Sequence, residues 1–107
     1  MPTETSKTTA ATTLPELNKL AAALSHPVRW RILKQMTNGQ EHMVLEIAKA
    51  VGCSADMTSK HLAKLRAAGL VVQGHAHLYQ IPAQLLPTPG AATVDCGLCL
   101  LRLDSVG

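Results

Sequence analysis

The sequence has very few aromatic side chains and no long apolar run. Aromatic residues make up 2% of its 107 residues, namely Trp30 and Tyr79, and phenylalanine is absent. Proteins that bind single-stranded nucleic acids lean on base stacking over aromatic rings, so this scarcity weighs against that class. The core must instead be built from Leu, Ile, Val, Ala and Met, which favours packed helices. No apolar run approaches the ~20 residues of a membrane-spanning helix, so none is predicted.

Cysteine is also scarce, and the N-terminus does not resemble a secretion signal. The segment MPTETSKTTAATT lacks the apolar stretch of a signal peptide. We therefore expect a cytoplasmic protein whose thiols stay reduced. Its three cysteines, Cys53, Cys96 and Cys99, do not make a disulfide framework. The length fits a single domain.

Acidic residues are absent between Met57 and Val94. The formal net charge is only +3, so the distribution of charge carries more information than its total. A stretch with basic but no acidic residues suits a partner that carries phosphate groups. An ordinary solvated surface can have the same composition. The basic and histidine residues of this stretch are Lys60, Lys64, Arg66, His61, His75 and His77.

The stretch from Ser54 to Ile81 predicts a helix followed by a β-hairpin. Ser54 is a suitable N-cap, and Gly69 suits the left-handed backbone that often follows a helix. Between them Thr58, Leu62 and Leu65 recur at helical spacing and predict a buried stripe. Ala55, Asp56, Ser59, Lys60 and Lys64 then fall on a small, polar and basic outer face. Leu70–Gln73 and Leu78–Ile81 flank Gly74–His77, a spacing suited to a hairpin with a short tip.

Three further helices are predicted before this stretch. Residues 1–12 lack apolar periodicity and predict a disordered tail. A capping box at residues 13–16 begins an amphipathic first helix, whose apolar stripe faces either the core or a second subunit. Pro27 suits the first position of a second helix that ends near Asn38 and Gly39. A third helix is predicted from Val44 to Val51. The expected inward residues are Leu14, Leu17, Leu20, Ala21 and Leu24 of the first helix, Val28, Ile32, Leu33 and Met36 of the second, and Ile47, Ala48 and Val51 of the third.

A short helix, a turn containing glycine and a longer helix make a helix-turn-helix, with Gly52–Ser54 as the turn. In that motif the second helix enters the major groove of DNA with its N-terminal part. We therefore predict an α+β, mainly α fold: a winged helix-turn-helix of four helices with a hairpin wing and a strand-like C-terminal extension. The predicted boundaries are a tail at 1–12, the DNA-binding domain at 13–86 and the extension at 87–107. Within the extension, Val94–Leu103 is predicted as one strand buried on both faces, for which a dimer interface is the natural setting; a one-turn helix is the alternative.

Three segments of the chain resemble the ArsR/SmtB family of bacterial winged-helix repressors. They are LAAALSHPVRWRIL, VLEIAKAVGCSADMTSKHLAKLRAAGLV and GHAHLYQI, which together lie within residues 20–81. The resemblance implies a homodimer that binds a palindromic operator. It also implies release of the operator when an inducer binds, often a metal or metalloid and sometimes an oxidant.

The sequence departs from the family at two places. Family members often carry a cysteine-containing motif at the start of the third helix, where this chain has His42–Glu46 without cysteine. They also commonly end in a long dimerising helix with a second metal site, whereas Pro87, Pro89 and Gly90 interrupt that region here. The familiar metal sites are therefore not expected at either position.

The residues expected to face DNA lie on the fourth helix and the wing. Lysines neutralise phosphate or reach guanine, and serine donates to phosphate or a base edge. For Asp56 capping of the helix is favoured over a base contact, and for His61 packing is the alternative to DNA contact. The wing has no Lys or Arg, so its contribution should be weak near neutral pH. The predicted set is Ser54, Ala55, Asp56, Met57, Ser59, Lys60, His61, Lys64, Gly74, His75 and His77.

Cys96 and Cys99 are the candidate sensing pair. Thiolates suit zinc or a soft metalloid, but a tetrahedral zinc site needs four ligands, and residues i and i+3 of a single strand point to opposite faces. A redox switch and two plain buried cysteines are the alternatives. Three functions therefore compete: a dimeric DNA-binding regulator with or without an inducer, a winged helix used only to bind proteins, and a thiol enzyme. The last ranks lowest because Arg102 is the only nearby group that would lower a thiol pKa.

Overall fold

The computed structural model of the chain describes residues 17–88, 90–97 and 99–106. Within these ranges four helices precede two small antiparallel strand pairs, which confirms the predicted mainly helical winged helix-turn-helix fold. None of the described helices has the length and apolar character that a membrane span requires. The helices are α1 (described part 17–23), α2 (Pro27–Gln35), α3 (Val44–Val51) and α4 (Ala55–Ala67), and the strands are β1 (Val72–Gln73), β2 (Tyr79–Gln80), β3 (Thr93–Asp95) and β4 (Leu100–Arg102).

The turn between α3 and α4 is fixed by its caps. Gly52 takes a φ of 75°, the left-handed region that favours glycine, and its N–H donates to the Ala48 carbonyl at 2.9 Å. Ser54 then caps α4, because its Oγ accepts the Met57 N–H at 3.1 Å. Both the bounds of α3 and the Ser54 cap confirm the sequence prediction.

The predicted stripe of α4 lies in the centre of the core. Thr58, Leu62 and Leu65 are each 0% exposed, and α4 packs against both α2 and α3. Ile32 and Leu33 of α2 are equally buried. Because its apolar side is fixed in this way, α4 has one orientation and its opposite side faces solvent. The other inward residues that the structure buries as predicted are Leu20, Met36, Ile47, Ala48 and Val51.

The Thr58 hydroxyl is buried without a hydrogen-bond partner among the described residues. Such a group loses its hydration on folding and gains nothing in return. We expect Thr58→Val to raise the free energy of unfolding by about 1 kcal/mol, since valine keeps the shape and removes the unpaired oxygen. Urea denaturation checks this, with Thr37→Val as the control, because the Thr37 hydroxyl donates to the Lys34 carbonyl at 2.8 Å. A stability gain in the control but not at Thr58 contradicts the prediction.

Helix α1 is less deeply packed than its sequence pattern predicts. Leu20 and Ala23 are buried, but Ala21 is exposed and Leu17 is 46% exposed. Ala21 therefore does not pack on the core of its own chain, and Ala23 is the alanine of α1 that does. The predicted tail and the capping box at residues 13–16 lie outside the described residues.

The C-terminal stretch forms two strands where the sequence analysis predicts one. Strands β3 and β4 pair antiparallel in the register Val94 with Leu101. Gly97, with a φ of 83°, lies in the turn between them. Val94, Leu101 and Leu103 are buried in the same core as the helices, whereas Leu100 is 55% exposed. One face of the hairpin is thus covered by the chain itself, and burial on both faces is not observed within one subunit.

Candidate nucleic-acid interface

The exposed side of α4 carries the residues of this helix that are predicted to face DNA, with two exceptions. Ala55 is half-buried near the helix start, and His61 is buried; the others form a continuous solvent-facing side. The helix N-terminus at this side also carries the partial positive charge of the helix dipole, which favours phosphate. The exposed residues, which we call the α4 face, are Ser54, Asp56, Met57, Ser59, Lys60 and Lys64.

Asp56 and Lys60 form an ion pair on the α4 face. The Lys60 Nζ lies 3.5 Å from the Asp56 Oδ2, and both side chains are more than two-thirds exposed. Pairs this exposed contribute little and exchange readily with solvent or another anion. Ser54 provides the cap, so the predicted capping role of Asp56 is wrong; Asp56 instead acts through the helix dipole and this pair. Lys60 therefore stays free to turn toward a phosphate.

His61 does not belong to the α4 face. Its side chain is buried, its Nδ1 accepts the Arg29 Nε–H at 3.2 Å, and its ring centroid lies 4.6 Å from that of His26. Arg29 also donates to the Ala22 carbonyl at 2.7 Å. Arg29 and His61 thus join α1, α2 and α4, which gives Arg29 a structural role and removes His61 from the DNA-facing set. The physical reason is its position three residues after Thr58, at the edge of the buried stripe.

This cluster makes stability depend on pH. Burial, and then the charges of His26 and Arg29, lower the pKa of His61. Below the unfolded pKa of about 6.5, the unfolded chain takes up a proton that the folded chain resists, so the free energy of unfolding falls as the pH falls. We expect His61→Gln, which keeps an acceptor for Arg29, to flatten this dependence in urea denaturation between pH 7.5 and 5.5. The exposed His75→Gln variant serves as the control and should keep it; an unchanged slope in His61→Gln contradicts the assignment.

The wing is a hairpin with a strained tip. Val72 pairs with Gln80 and Gln73 with Tyr79, so the strands are shorter than predicted. A single 3₁₀ turn at His75–His77 joins them. Ala76 and His77 take φ values of 56° and 59°, which residues other than glycine rarely adopt. The tip therefore holds the His75 and His77 side chains in exposed positions.

An acidic side chain lies beside the wing, which the sequence analysis missed. A Cβ built at Gly74 would lie 3.4 Å from the Glu41 Oε2. On the other side, Arg66 of α4 donates to the Gln73 Oε1 at 2.6 Å, and the Gln73 Nε2 is 3.2 Å from the His77 Nδ1. No sequence pattern pointed to Glu41, because the contact joins residues far apart in the chain. A carboxylate repels phosphate. Together with the lack of Lys and Arg, Glu41 therefore leaves the wing with little electrostatic attraction for a phosphate backbone.

His42 connects the wing to the start of α3. Its backbone exchanges hydrogen bonds with Tyr79 at 2.8 and 2.9 Å, which adds a bridge to the edge of the wing. Its buried ring contacts the Glu46 Oε2 at 2.8 Å and the Asn38 Oδ1 at 3.0 Å. The hydrogen bond from His42 lowers the pKa of Glu46. Both ring nitrogens of His42 are therefore occupied by protein partners rather than free for a metal.

The hairpin brings the two C-terminal cysteines together. Cys96 and Cys99 are the next cross-strand pair after Asp95 and Leu100, and the Cys96 N–H donates to the Cys99 carbonyl at 2.9 Å. Directly opposed residues of an antiparallel pair point to the same face. The expectation that these side chains diverge is thus wrong, because it assumed one continuous strand. Across the described ranges, however, no three His, Cys, Asp or Glu side chains gather into a group that could hold a metal ion.

The two thiols differ in their environment. Burial, and then the neighbouring Cys99 thiol, raise the pKa of Cys96 to about 12, whereas Cys99 is exposed. Because the thiolate is the reactive form, we expect a disulfide reagent such as DTNB to label Cys99 well before Cys96 at pH 8. Mass spectrometry of quenched samples identifies the labelled cysteine. Loss of the fast phase in Cys99→Ser supports the assignment, and its persistence there contradicts it.

Comparison with known proteins agrees with this geometry. Residues 24–73, which run from the end of α1 to the first strand of the wing, match the model of a family described as a helix-turn-helix domain. Comparisons with curated proteins and with solved structures found no match. This part of the chain is a helix-turn-helix domain, the kind of domain through which DNA-binding regulators contact their sites.

Proposed function

We propose that the protein is a transcriptional repressor of the ArsR/SmtB type that binds double-stranded operator DNA as a homodimer in the cytoplasm. The observation that supports this most is the α4 face. Its polar and cationic side chains are exposed while Thr58, Leu62 and Leu65 are fully buried behind them. This arrangement is what a helix inserted into the major groove requires.

Each residue of the α4 face has a role in this proposal. Lys60 and Lys64 neutralise phosphates or donate to guanine O6 and N7, and Ser59 donates to a phosphate or a base edge. Met57, 44% exposed, offers an apolar contact to a thymine methyl group. Asp56 discriminates against misplaced phosphates or accepts from a cytosine amino group. Gly74, His75 and His77 of the wing approach the neighbouring minor groove with little net attraction.

Dimerisation is proposed from the resemblance to the ArsR/SmtB family and from two exposed leucines. Leu17 at the beginning of the described part of α1 is 46% exposed, and Leu100 of β4 is 55% exposed. Large apolar side chains left on the surface suit an interface between copies. A dimer places its two recognition helices on half-sites about 34–36 Å apart, one turn of the DNA helix. Light scattering coupled to gel filtration measures the mass of the free protein and of its complex with DNA.

We further propose Cys96 and Cys99 as the inducer site. Two thiolates on one face are soft ligands that suit a metal or metalloid ion, and further ligands would come from the partner subunit or the inducer. Alternatively, a peroxide takes two electrons and two protons from the thiols, which leaves a disulfide and two molecules of water. Adding a metalloid salt or hydrogen peroxide to the complex with DNA tests both. If Cys96→Ser plus Cys99→Ser leaves release of the DNA intact, the inducer site is elsewhere or absent.

Selection of duplexes from a random pool tests the whole proposal. We expect an enriched palindrome, bound more tightly than shuffled duplex and with an affinity that falls steeply with salt. A winged helix used only to bind proteins would enrich no sequence and show no salt-dependent binding to duplex DNA. That outcome would end the repressor proposal.

A further inference from the structure

A cavity of about 330 Å³ lies at the C-terminal end of the recognition helix, where Arg66, Ala67 and Ala68 line it. It is bounded by α1, by the end of α4 and by the C-terminal hairpin. Leu20 and Leu70 are buried in its wall, and Leu85 and Cys96 are half-buried there. Its volume is in the range of small-molecule sites, and its wall combines these apolar side chains with polar groups, among them Lys19 and Arg66.

The charged groups of this cavity are both cations. Lys19 of α1 and Arg66 of α4 line it, and no described residue that lines it is acidic. Cys96 is the other titratable group there, and its raised pKa of about 12 keeps the thiol neutral near pH 7. The lining thus combines leucine side chains with two cationic groups, and the Asp95 carboxylate, which is close enough to Cys96 to help raise its pKa, does not line the cavity.

We propose that this cavity binds a small organic anion, a carboxylate with a short apolar body, as an effector of DNA binding. The carboxylate pairs with the guanidinium of Arg66, whose planar fork matches a carboxylate, and with the ammonium of Lys19. The apolar body packs against Leu20, Leu70 and Leu85. This effector site uses no thiol chemistry and is separate from the proposed role of the cysteine pair.

Arg66 connects the cavity to the wing. Its Nη1 donates to the Gln73 Oε1 at 2.6 Å, and Gln73 in turn contacts the His77 ring. A carboxylate that takes this guanidinium competes with Gln73 and releases the side chain that holds the wing tip to α4. Since the effector binds one of these two arrangements better, DNA affinity and effector affinity are coupled and reciprocal. This coupling rests on the proposed function, whereas binding of the anion does not.

Titration of the free, isotope-labelled protein with sodium hexanoate tests the binding. We expect hexanoate to shift the amide signals of Leu20, Gly69, Leu70 and Gln73, and 1-hexanol to shift them much less at equal concentration. Arg66→Gln and Lys19→Gln should each raise the Kd about tenfold, as expected for a lost charged hydrogen bond. Lys49→Gln, which removes one charge from the exposed side of α3, should leave it unchanged. Equal shifts with hexanol, shifts elsewhere, or an unaltered Kd in both cavity variants would overturn the site.

The affinity for the selected duplex, measured with and without hexanoate, tests the coupling. We expect the Kd for DNA to change severalfold in the wild-type protein and in Lys49→Gln, and not in Lys19→Gln at the same hexanoate concentration. Binding of hexanoate with no change in DNA affinity overturns the effector role. If the protein binds no duplex at all, the proposed function fails while the result of the titration still decides whether the cavity binds the anion.

Discussion

Replacing both Lys60 and Lys64 by alanine should lower the affinity for operator duplex about tenfold or more, since each lysine contributes a charge-assisted contact. It should also reduce the steepness with which affinity falls with salt. Each phosphate contact that is lost removes about one from the slope of log K against log salt concentration. Fluorescence anisotropy at several salt concentrations measures both quantities.

The control for this double variant is Arg102→Ala. Arg102 is a well-exposed cation on the C-terminal hairpin, paired with Asp104 at 3.3 Å. The Arg102→Ala substitution removes one positive charge without altering α4. It therefore distinguishes the loss of a local contact from a change in net charge. A salt slope that stays the same in the lysine variant, or falls equally in the control, places the DNA on another surface.

Replacing Leu62 by alanine should lower the free energy of unfolding by about 3 kcal/mol. Leu62 is 0% exposed at the centre of the stripe of α4, and large-to-small changes at such positions lose transfer free energy and leave a cavity. For a domain of this size that is a large part of the total stability. Urea denaturation of the purified variant measures the loss.

Leu45→Ala is the matched control for Leu62→Ala. It makes the same chemical change on the neighbouring helix α3, at a side chain that is 58% exposed. We expect its effect to stay within about 0.5 kcal/mol, as for most surface changes. Equal losses in the two variants would mean that the side of α4 bearing Leu62 is not the one that packs on the core.

Much of the helix-turn-helix follows from local pattern in the sequence. The bounds of α3, the Ser54 cap and the buried stripe of α4 depend on residues at most one or two helical turns apart, and all were predicted. The placement of His61 was not, although its spacing from Thr58 and Leu65 puts it at the edge of the same stripe. DNA contact and packing were both left open for this histidine, and the hydrogen bond from Arg29 accounts for its burial.

Features that depend on distant contacts could not be predicted. Glu41 beside Gly74 joins two parts of the chain that no periodicity relates. The C-terminal hairpin was missed for another reason. Alternation with a period of two residues is the same in one long strand as in two strands joined by a tight turn, so it does not reveal the turn. Gly97 was the available signal, since glycine takes the positive φ of 83° that this turn needs. The DNA contacts and the pairing of subunits stay predictions, because they involve partners that the sequence does not contain.

The bridge between His42 and Tyr79 has a mechanical consequence. The backbone of His42 is hydrogen-bonded to the wing, and its ring is hydrogen-bonded to Glu46 of α3. We therefore expect the wing and α3 to move together as one rigid unit. A shift at the wing tip would then be carried to α3, which crosses the DNA backbone in the proposed complex, without any change inside α4. A signal that begins at the proposed effector cavity and reaches the wing would thus also displace α3.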